Sequence, residues 1–497
     1  MTSKPLRERE FLRQRYRAMA SYIGVIFTIC GGLMLSPLLV LPAYPDEIRH
    51  AGSFVIPAVV LLFMGAALWR MLRPSVPVAL NVHEGGVIVL LSWIMVIAFS
   101  AWPFVEILGL DSTRAIFESV SGWTTTGLSV VDVTQAGELI LIWRSIIQLA
   151  GGAGLAILMM SAIIGPVGAA VSSAEGRGDQ LVPHVRKSAR LILLIYGSYA
   201  LVGITAYRWA GMSFFDAINH SFAAVSTGGF STRADSIGHW NSLTIECTSL
   251  VLMVLGNLNF ITAWLLIQGK LRFFLRNGEI RLMAVLLPIA AAAVFILTCR
   301  GIYAEIEKSL RVAVFETVSA LTTTGFSTVS YSNWNSFGLL VLTTLMLIGG
   351  GTCSTAGGIK QIRVYLLWKM LSWELRRAFL PRSAVLERPI WEADHKAFMT
   401  DSRLVQLSAY VFLYFVTFAA GTLIFCSYDY PLHESLFEVA SALGTVGISI
   451  GVTSVNSPDI LLWVETAAMF LGRLEFFVIF LSIFRLFTDI HRMCGKN

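Results

Sequence analysis

The chain has 497 residues and a net charge of +6, with 56 % hydrophobic and only 14 % charged residues. Soluble domains carry about 25 % charged residues, so a chain this apolar cannot cover a water-facing surface. Soluble-enzyme, disordered and secreted disulfide-scaffold classes are excluded, and an integral membrane protein remains.

In chain order, apolar stretches are expected to span at 20–43, 53–72, 86–108, 138–165, 190–211, 243–268, 281–302, 338–370, 403–427 and 459–487. About 20 apolar residues in a helix cross roughly 30 Å of hydrocarbon. Alternation with period two is absent, which excludes an outer-membrane barrel. The first stretch is too long for a signal-peptide core, and no small-x-small cleavage site precedes the second. Its leader carries Lys4, Arg7, Arg9, Arg13, Arg15 and Arg17, which predicts a cytoplasmic N-terminus. Pro45-Asp46-Glu47 then falls outside, and Arg70 and Arg73 return the chain to the inside. The clusters Arg177/Arg186/Lys187/Arg190, Lys270/Arg272/Arg276/Arg281, Arg376/Arg377/Arg382/Arg388 and Arg485/Arg492/Lys496 all fall on the cytoplasmic side of ten crossings. Both termini are therefore expected in the cytoplasm. The basic excess serves topology and does not call for nucleic acid. Cys30, Cys247, Cys299, Cys353, Cys426 and Cys494 form no C-x-x-C pair and read as small apolar residues.

After spans three, five, seven and nine stands a segment too apolar for a loop and too short to cross. Aligned on one glycine, these segments repeat. The first contains Glu118 and ends Thr124-Thr125-Thr126-Gly127-Leu128-Ser129. The second contains His220 and ends Ser226-Thr227-Gly228-Gly229-Phe230-Ser231. The third contains Glu316 and ends Thr322-Thr323-Thr324-Gly325-Phe326-Ser327, and the fourth contains Glu438 and ends Gly444-Thr445-Val446-Gly447-Ile448-Ser449. Glu118, His220, Glu316 and Glu438 each stand nine residues before the glycine, and the glycines lie 102, 96 and 122 residues apart.

Each segment predicts a short re-entrant helix starting near Asp111, Ser213, Ser309 or Glu434, with Asp111, Ser213 and Ser309 as N-caps. Such a helix is tolerated at membrane depth only inside protein or beside water. Its C-terminal end then favours a cation through the helix dipole. The extended stretch beyond it offers carbonyls, and glycine allows the backbone angles that aim them. Four such stretches would supply a carbonyl ring able to replace a cation's hydration shell.

On these motifs the sequence resembles the superfamily of Trk, Ktr and HKT potassium transporters, from about residue 86 to the end, and its two extra N-terminal spans resemble the bacterial Trk-type pore subunit. The resemblance implies an all-α integral membrane fold. Four membrane–pore–membrane (M1-P-M2) units would surround a pseudo-fourfold central pore, after an N-terminal extension over 1–80. The units would cover 81–188, 189–275, 276–402 and 403–497. It makes Gly127, Gly229, Gly325 and Gly447 the filter glycines. The carbonyls of Thr124, Thr125 and Thr126, of Ser226, Thr227 and Gly228, of Thr322, Thr323 and Thr324, and of Gly444, Thr445 and Val446 would line the path. The K⁺ ion would sit at Thr125, Thr126, Thr227, Gly228, Thr323, Thr324, Thr445 and Val446. The second aromatic-Gly pair of a potassium-channel filter is missing from all four repeats.

Gly349-Gly350-Gly351-Thr352-Cys353-Ser354-Thr355-Ala356-Gly357-Gly358-Ile359-Lys360 interrupts the second span of the third unit. A helix crossing built on small residues is one reading; an intramembrane loop below the filter is the other. In the resembling family this stretch is the gate, and Cys353 stands where the family often has glycine. Arg473 lies within the last span and is expected to face the interior, either paired with Glu475 or another buried acid or as a fixed positive charge under the filter. Glu118, Glu316 and Glu438 are expected to hold the filter through backbone hydrogen bonds, and His220 to be a buried, hydrogen-bonded neutral imidazole.

Enzyme classes lack support: the sequence shows no Walker loop, no nucleotide-binding glycine motif in a strand–helix context, and no Ser–His or paired Asp at depth. A secondary transporter built on inverted repeats is the rival, but every repeat here starts inside. A sodium-permeable or proton-coupled version of the same architecture stays open, although all four glycines are intact. The resemblance implies residence in the bacterial inner membrane and a homodimer. It also implies a cytosolic nucleotide-binding (TrkA-like) regulatory subunit, which the basic stretch 363–388 could meet. No covalently bound cofactor is implied, with K⁺ the transported ion.

Overall fold

The computed structural model describes residues 4–74, 81–154, 185–381, 387–392 and 395–494. The expected span 138–165 beyond 154, the loop residue Arg177, and Arg382 and Lys496 lie outside them. Among the described residues, six helices are long and apolar enough to cross a membrane: Arg9–Val40, Gly52–Leu72, His83–Leu108, Ala189–Trp209, Gly278–Ile302 and Asp401–Cys426. Two further expected spans are broken helices. Leu243–Asn257 and Phe260–Ile267 meet at 113° around Leu258–Asn259, and Asp459–Leu474 stops before Phe476–Cys494 at Glu475, whose φ is +62°. Span 338–370 is likewise divided into Ser336–Ile348 and Gln361–Ala378. The uninterrupted second spans expected of the second and fourth repeats are corrected here. Asn259 caps the second helix of its pair by accepting the Ile261 N–H, which gives the break its own hydrogen-bond partner. Among the described residues the all-α expectation holds apart from one antiparallel strand pair, Pro389–Glu392 with His395–Phe398.

The chain divides into two compact bodies: Met1–Trp123, Val130–Ser198 and Leu474–Asn497 form one, Thr124–Ser129 and Tyr199–Arg473 the other. In the first, helix Lys4–Leu35 packs on Gly52–Leu72 through glycine. A Cβ on Gly24 would lie 2.8 Å from the Gly65 carbonyl oxygen, and one on Gly31 would lie 2.9 Å from that of Ala58. Small residues at such a crossing let two backbones approach where lipid offers no hydrophobic drive. Arg15 pairs with Glu84, and Arg485 approaches Glu84 at 3.7 Å.

The four short helices are present as Ser112–Trp123, Phe214–Val225, Ile306–Leu321 and Leu432–Leu443. Asp111 accepts the Arg114 N–H at 2.8 Å, and that bond, with the guanidinium, holds its carboxyl below the ordinary value. Ser213 accepts the Asp216 N–H at 3.0 Å. Ser309 is not a cap. The third helix starts one turn earlier, after Glu305, and the Ser309 hydroxyl donates back to the Glu305 carbonyl at 3.0 Å. A serine inside a helix can satisfy its hydroxyl on the preceding turn, so the cap signal was ambiguous in sequence.

Candidate functional site

The last three short helices end alike. Gly228 N–H reaches the Ala223 carbonyl and Thr227 N–H that of Ala224; Thr324 and Thr323 bond to Ser319 and Ala320, and Val446 and Thr445 to Ser441 and Ala442. This is the paired six-to-one and five-to-two closure of a Schellman motif, whose left-handed residue is usually glycine. Here it is threonine: φ is +52° at Thr227, +53° at Thr323 and +51° at Thr445, with +56° at Thr125 in the first repeat. A β-branched residue there is strained, by on the order of 1–3 kcal/mol each. Two residues on, Gly127, Gly229, Gly325 and Gly447 have φ of +95°, +73°, +81° and +93°.

The four segments meet within the second body in a closed cycle. A Cβ on Gly127 would strike the carbonyl of Gly228, on Gly229 that of Thr324, on Gly325 that of Val446, and on Gly447 that of Thr126. Each glycine is thus pressed against the carbonyl that precedes the glycine of the next repeat, and the fourth closes on the first. Thr124, Thr125, Thr126, Ser226, Thr227, Thr322, Thr323, Thr324, Thr445 and Val446 are fully buried. Every sequence-predicted residue of the filter belongs to these four segments.

The carboxylates nine residues before the glycines hold the return strand. Glu118 accepts the Val130 N–H at 3.1 Å, Glu316 that of Thr328 at 2.9 Å and Glu438 that of Ile450 at 2.9 Å, each twelve residues on. In the second repeat His220 does not take this role. Asp216, one turn earlier, accepts the Thr232 hydroxyl at 2.5 Å and Arg233 at 3.0 Å. His220 lies within hydrogen-bond distance of the Asp216 carbonyl, 2.8 Å, and of the Ser231 hydroxyl, 2.9 Å. Sequence reading missed Asp216, though its place one turn before His220 was a usable signal. It also missed Arg144, which pairs with Glu118 at 2.7 Å with both side chains buried. Removing one member of a buried pair typically costs about 3–5 kcal/mol. Arg144→Ala is accordingly expected to lower the thermal midpoint of the detergent-solubilised protein strongly, whereas exposed Arg300→Ala leaves it in place.

Residues 349–360 form a loop packed on the same segments. The Thr355 hydroxyl donates to the carbonyls of Val225, 3.0 Å, or Gly256, 2.9 Å, and lies 3.3 Å from that of Thr227. Gly357 N–H donates to the Thr323 hydroxyl at 2.7 Å, and a Cβ on Gly357 would collide with Thr445 and Gly444. Gly350 N–H bonds to Gly357, and a Cβ on Gly349 would strike the same carbonyl. Gly358 has φ +76°, Lys360 donates to the Ala356 carbonyl, and Gly351 N–H reaches that of Asn257. Cys353 takes φ +49°, a conformation natural to glycine and strained for cysteine. Glu279 and Asn259, also absent from the sequence reading, bind Thr352 at 2.8 Å and 3.3 Å. The Arg473 guanidinium donates to the Thr355 carbonyl at 2.6 Å. Arg473 sits in the last turn of its helix, rather than in the middle of a continuous span.

Among the described residues no group of three or more His, Cys, Asp or Glu side chains is placed to hold a metal ion. The oxygens gathered at the centre belong to carbonyls and hydroxyls.

The family model for TrkH, a cation transport protein, matches residues 50–487. An uncharacterized cation transporter of Methanocaldococcus jannaschii is 30 % identical over 483 residues, covering 95 % of this chain and 96 % of its own. The Trk system potassium uptake protein TrkH of Escherichia coli K12 is 31 % identical over 478 residues, covering 93 % and 97 %. The crystal structure of the potassium transporter TrkH from Vibrio parahaemolyticus superposes with a TM-score of 0.81 at 28 % identity, covering 95 % of this chain and 98 % of that one. With its membrane-long helices and repeated glycine segments, the chain belongs to the TrkH family of cation transport proteins, a multi-pass membrane family of transporters and not of enzymes.

Proposed function

We propose that the chain carries potassium ions into the cell across the bacterial inner membrane, through one pore per chain. The observation that carries this reading is the closed cycle of glycines against carbonyls. It gathers four distant stretches of sequence, each following directly on a helix C-terminus, and so supports the reading that their twelve residues line a path. Left-handed residues recur at every second position of each segment, at Thr125 and Gly127, Thr227 and Gly229, Thr323 and Gly325, and Thr445 and Gly447, and helix C-terminal ends add negative potential. Carbonyl oxygens so placed replace water around a weakly hydrated monovalent cation. The ion would be held by Thr125, Thr126, Thr227, Gly228, Thr323, Thr324, Thr445 and Val446.

Loop 349–360, with Arg473 bound to Thr355, closes the path from below in this proposal. A cytosolic nucleotide-binding subunit, docking on the basic inner loops, would release it. Two copies would assemble side by side, each with both termini in the cytoplasm, and the repeats would divide the chain at 81–188, 189–275, 276–402 and 403–497.

The test is ion flux in proteoliposomes containing the purified chain. Potassium and rubidium are expected to pass and sodium to be retarded by at least about tenfold, a difference of 1.4 kcal/mol. Equal sodium and potassium flux would defeat the potassium assignment. Repeating the measurement with an imposed pH gradient separates passive flux, which ignores the gradient at constant voltage, from proton-coupled uptake, which follows it.

A further inference from the structure

The carboxylate that braces each repeat meets a different donor. Glu118 meets Arg144, Asp216 meets Arg233, and Glu316 meets the Tyr331 hydroxyl as well as Thr328. In the fourth repeat Glu438 takes Ser449, Ile450 and Val452 on one oxygen and the Thr453 hydroxyl, 3.0 Å away, on the other. The same Thr453 oxygen lies 2.7 Å from a carboxyl oxygen of Glu465. Glu465 stands on the helix after the glycine, close to the place where the first repeat carries Arg144. Glu438 is fully buried, and Glu465 is 2 % exposed.

A hydroxyl has a single proton to donate. Thr453 can give it to one carboxylate, so its contact with the second is a hydrogen bond only if that carboxyl brings a proton of its own. Two ionised carboxylates sharing one hydroxyl in a buried site would repel each other with a single proton between them. Glu438 already receives three other hydrogen bonds and is the better anion; Glu465 has Thr453 alone among its described hydrogen bonds. Val439, next to Glu438 in the chain, and Val452, next to Thr453, belong with Phe425 and Leu461 to one buried apolar cluster. Among the described residues Glu438 is the charged group that acts on Glu465.

We propose that Glu465 is a proton-bearing positioning residue: as a neutral acid it donates to Thr453, which donates to the Glu438 carboxylate and so braces the strand that returns from Gly447. The inference rests on the carbonyl-ring reading for its effect on transport, and on hydrogen-bond counting alone for the proton. Loss of that proton at alkaline pH leaves two facing carboxylates, loosens residues 449–453 and lowers selectivity. Acid pH leaves the brace intact.

Infrared spectra of the full chain in liposomes test it. Wild type is expected to show, at neutral pH, a protonated-carboxyl stretching band that Glu465→Gln lacks and that fades as pH rises. Over the same interval the K⁺/Na⁺ flux ratio of wild type is expected to fall by roughly tenfold, the scale of one charge-assisted hydrogen bond. In Glu465→Gln, whose amide donates at every pH, the ratio stays flat. Thr453→Val, which cuts the relay while nearly keeping the shape, is expected to lower the ratio at all pH values. The proposal is overturned if no carboxyl band is lost in Glu465→Gln, if the two pH profiles coincide, or if Thr453→Val discriminates as wild type does. Failure of the carbonyl-ring reading shows separately, as a flux ratio indifferent to Gly325→Ser while the band is present.

Discussion

Gly325→Ser is expected to cost the transporter most of its discrimination between potassium and sodium, by at least about tenfold, or 1.4 kcal/mol. Two effects act together. Gly325 has φ +81°, where an L side chain is strained by about 1–2 kcal/mol. Its new Cβ would also lie inside the contact distance of the Val446 carbonyl oxygen. That neighbour is backbone, with no rotamer to swing away, so the ring itself must open. A wider ring of carbonyls favours neither ion as strictly. Gly127→Ser, facing the Gly228 carbonyl, should behave alike because the cycle has no privileged member. Gly52→Ser is the control: nothing lies within 4 Å of a Cβ there. Flux ratios in proteoliposomes, normalised to reconstituted protein, decide the matter; wild-type ratios in both ring variants would sink the filter assignment.

The second large effect is expected at Arg473. Its guanidinium ties down the Thr355 carbonyl at 2.6 Å, while the Thr355 hydroxyl binds the backbone below the second segment. A hydrogen bond from a charged donor contributes about 1.5–3 kcal/mol. For a loop with a closed and a displaced arrangement, its loss shifts the population by roughly ten- to a hundredfold. Arg473→Ala should therefore raise basal ion flux, and it also removes a positive charge from beside the proposed ion path. Shortening 349–358 should raise flux further, since it removes the contacts of Gly357 with Thr323 and Thr445 as well. Both variants must be compared at equal amounts of folded protein. Flux no higher than wild type in either would argue that the loop is a packing element and not a gate.

The glycine ring and the elements around it differed in legibility for a physical reason. Ring residues announce themselves because one physical demand, a left-handed backbone pressed on a neighbouring carbonyl, recurs four times and selects glycine each time. Repetition made the signal readable across spacings of 102, 96 and 122 residues. The strained threonines before each glycine were visible as letters, but nothing in a sequence says that a β-branched residue occupies the left-handed position of a helix end. Breaks in the second spans were harder still. Leu258–Asn259 and Glu475 lack the glycine run that marked 349–360, and an apolar stretch reads as continuous until packing bends it.

Sequence alone determined that the chain lives in a membrane, that four glycine-centred segments recur along it, and which glycine each segment shares with the others. These are properties of composition and period, and they survive without knowledge of contacts. Tertiary structure alone decided the cyclic order in which glycine meets carbonyl, the use of Asp216 as the bracing carboxylate in the repeat that carries His220, and the meeting of Glu438 with Glu465 through Thr453. Each of those depends on side chains from separate helices arriving within hydrogen-bond distance. Residue type limits what such groups do once they meet, but only the packed fold sets which of them meet.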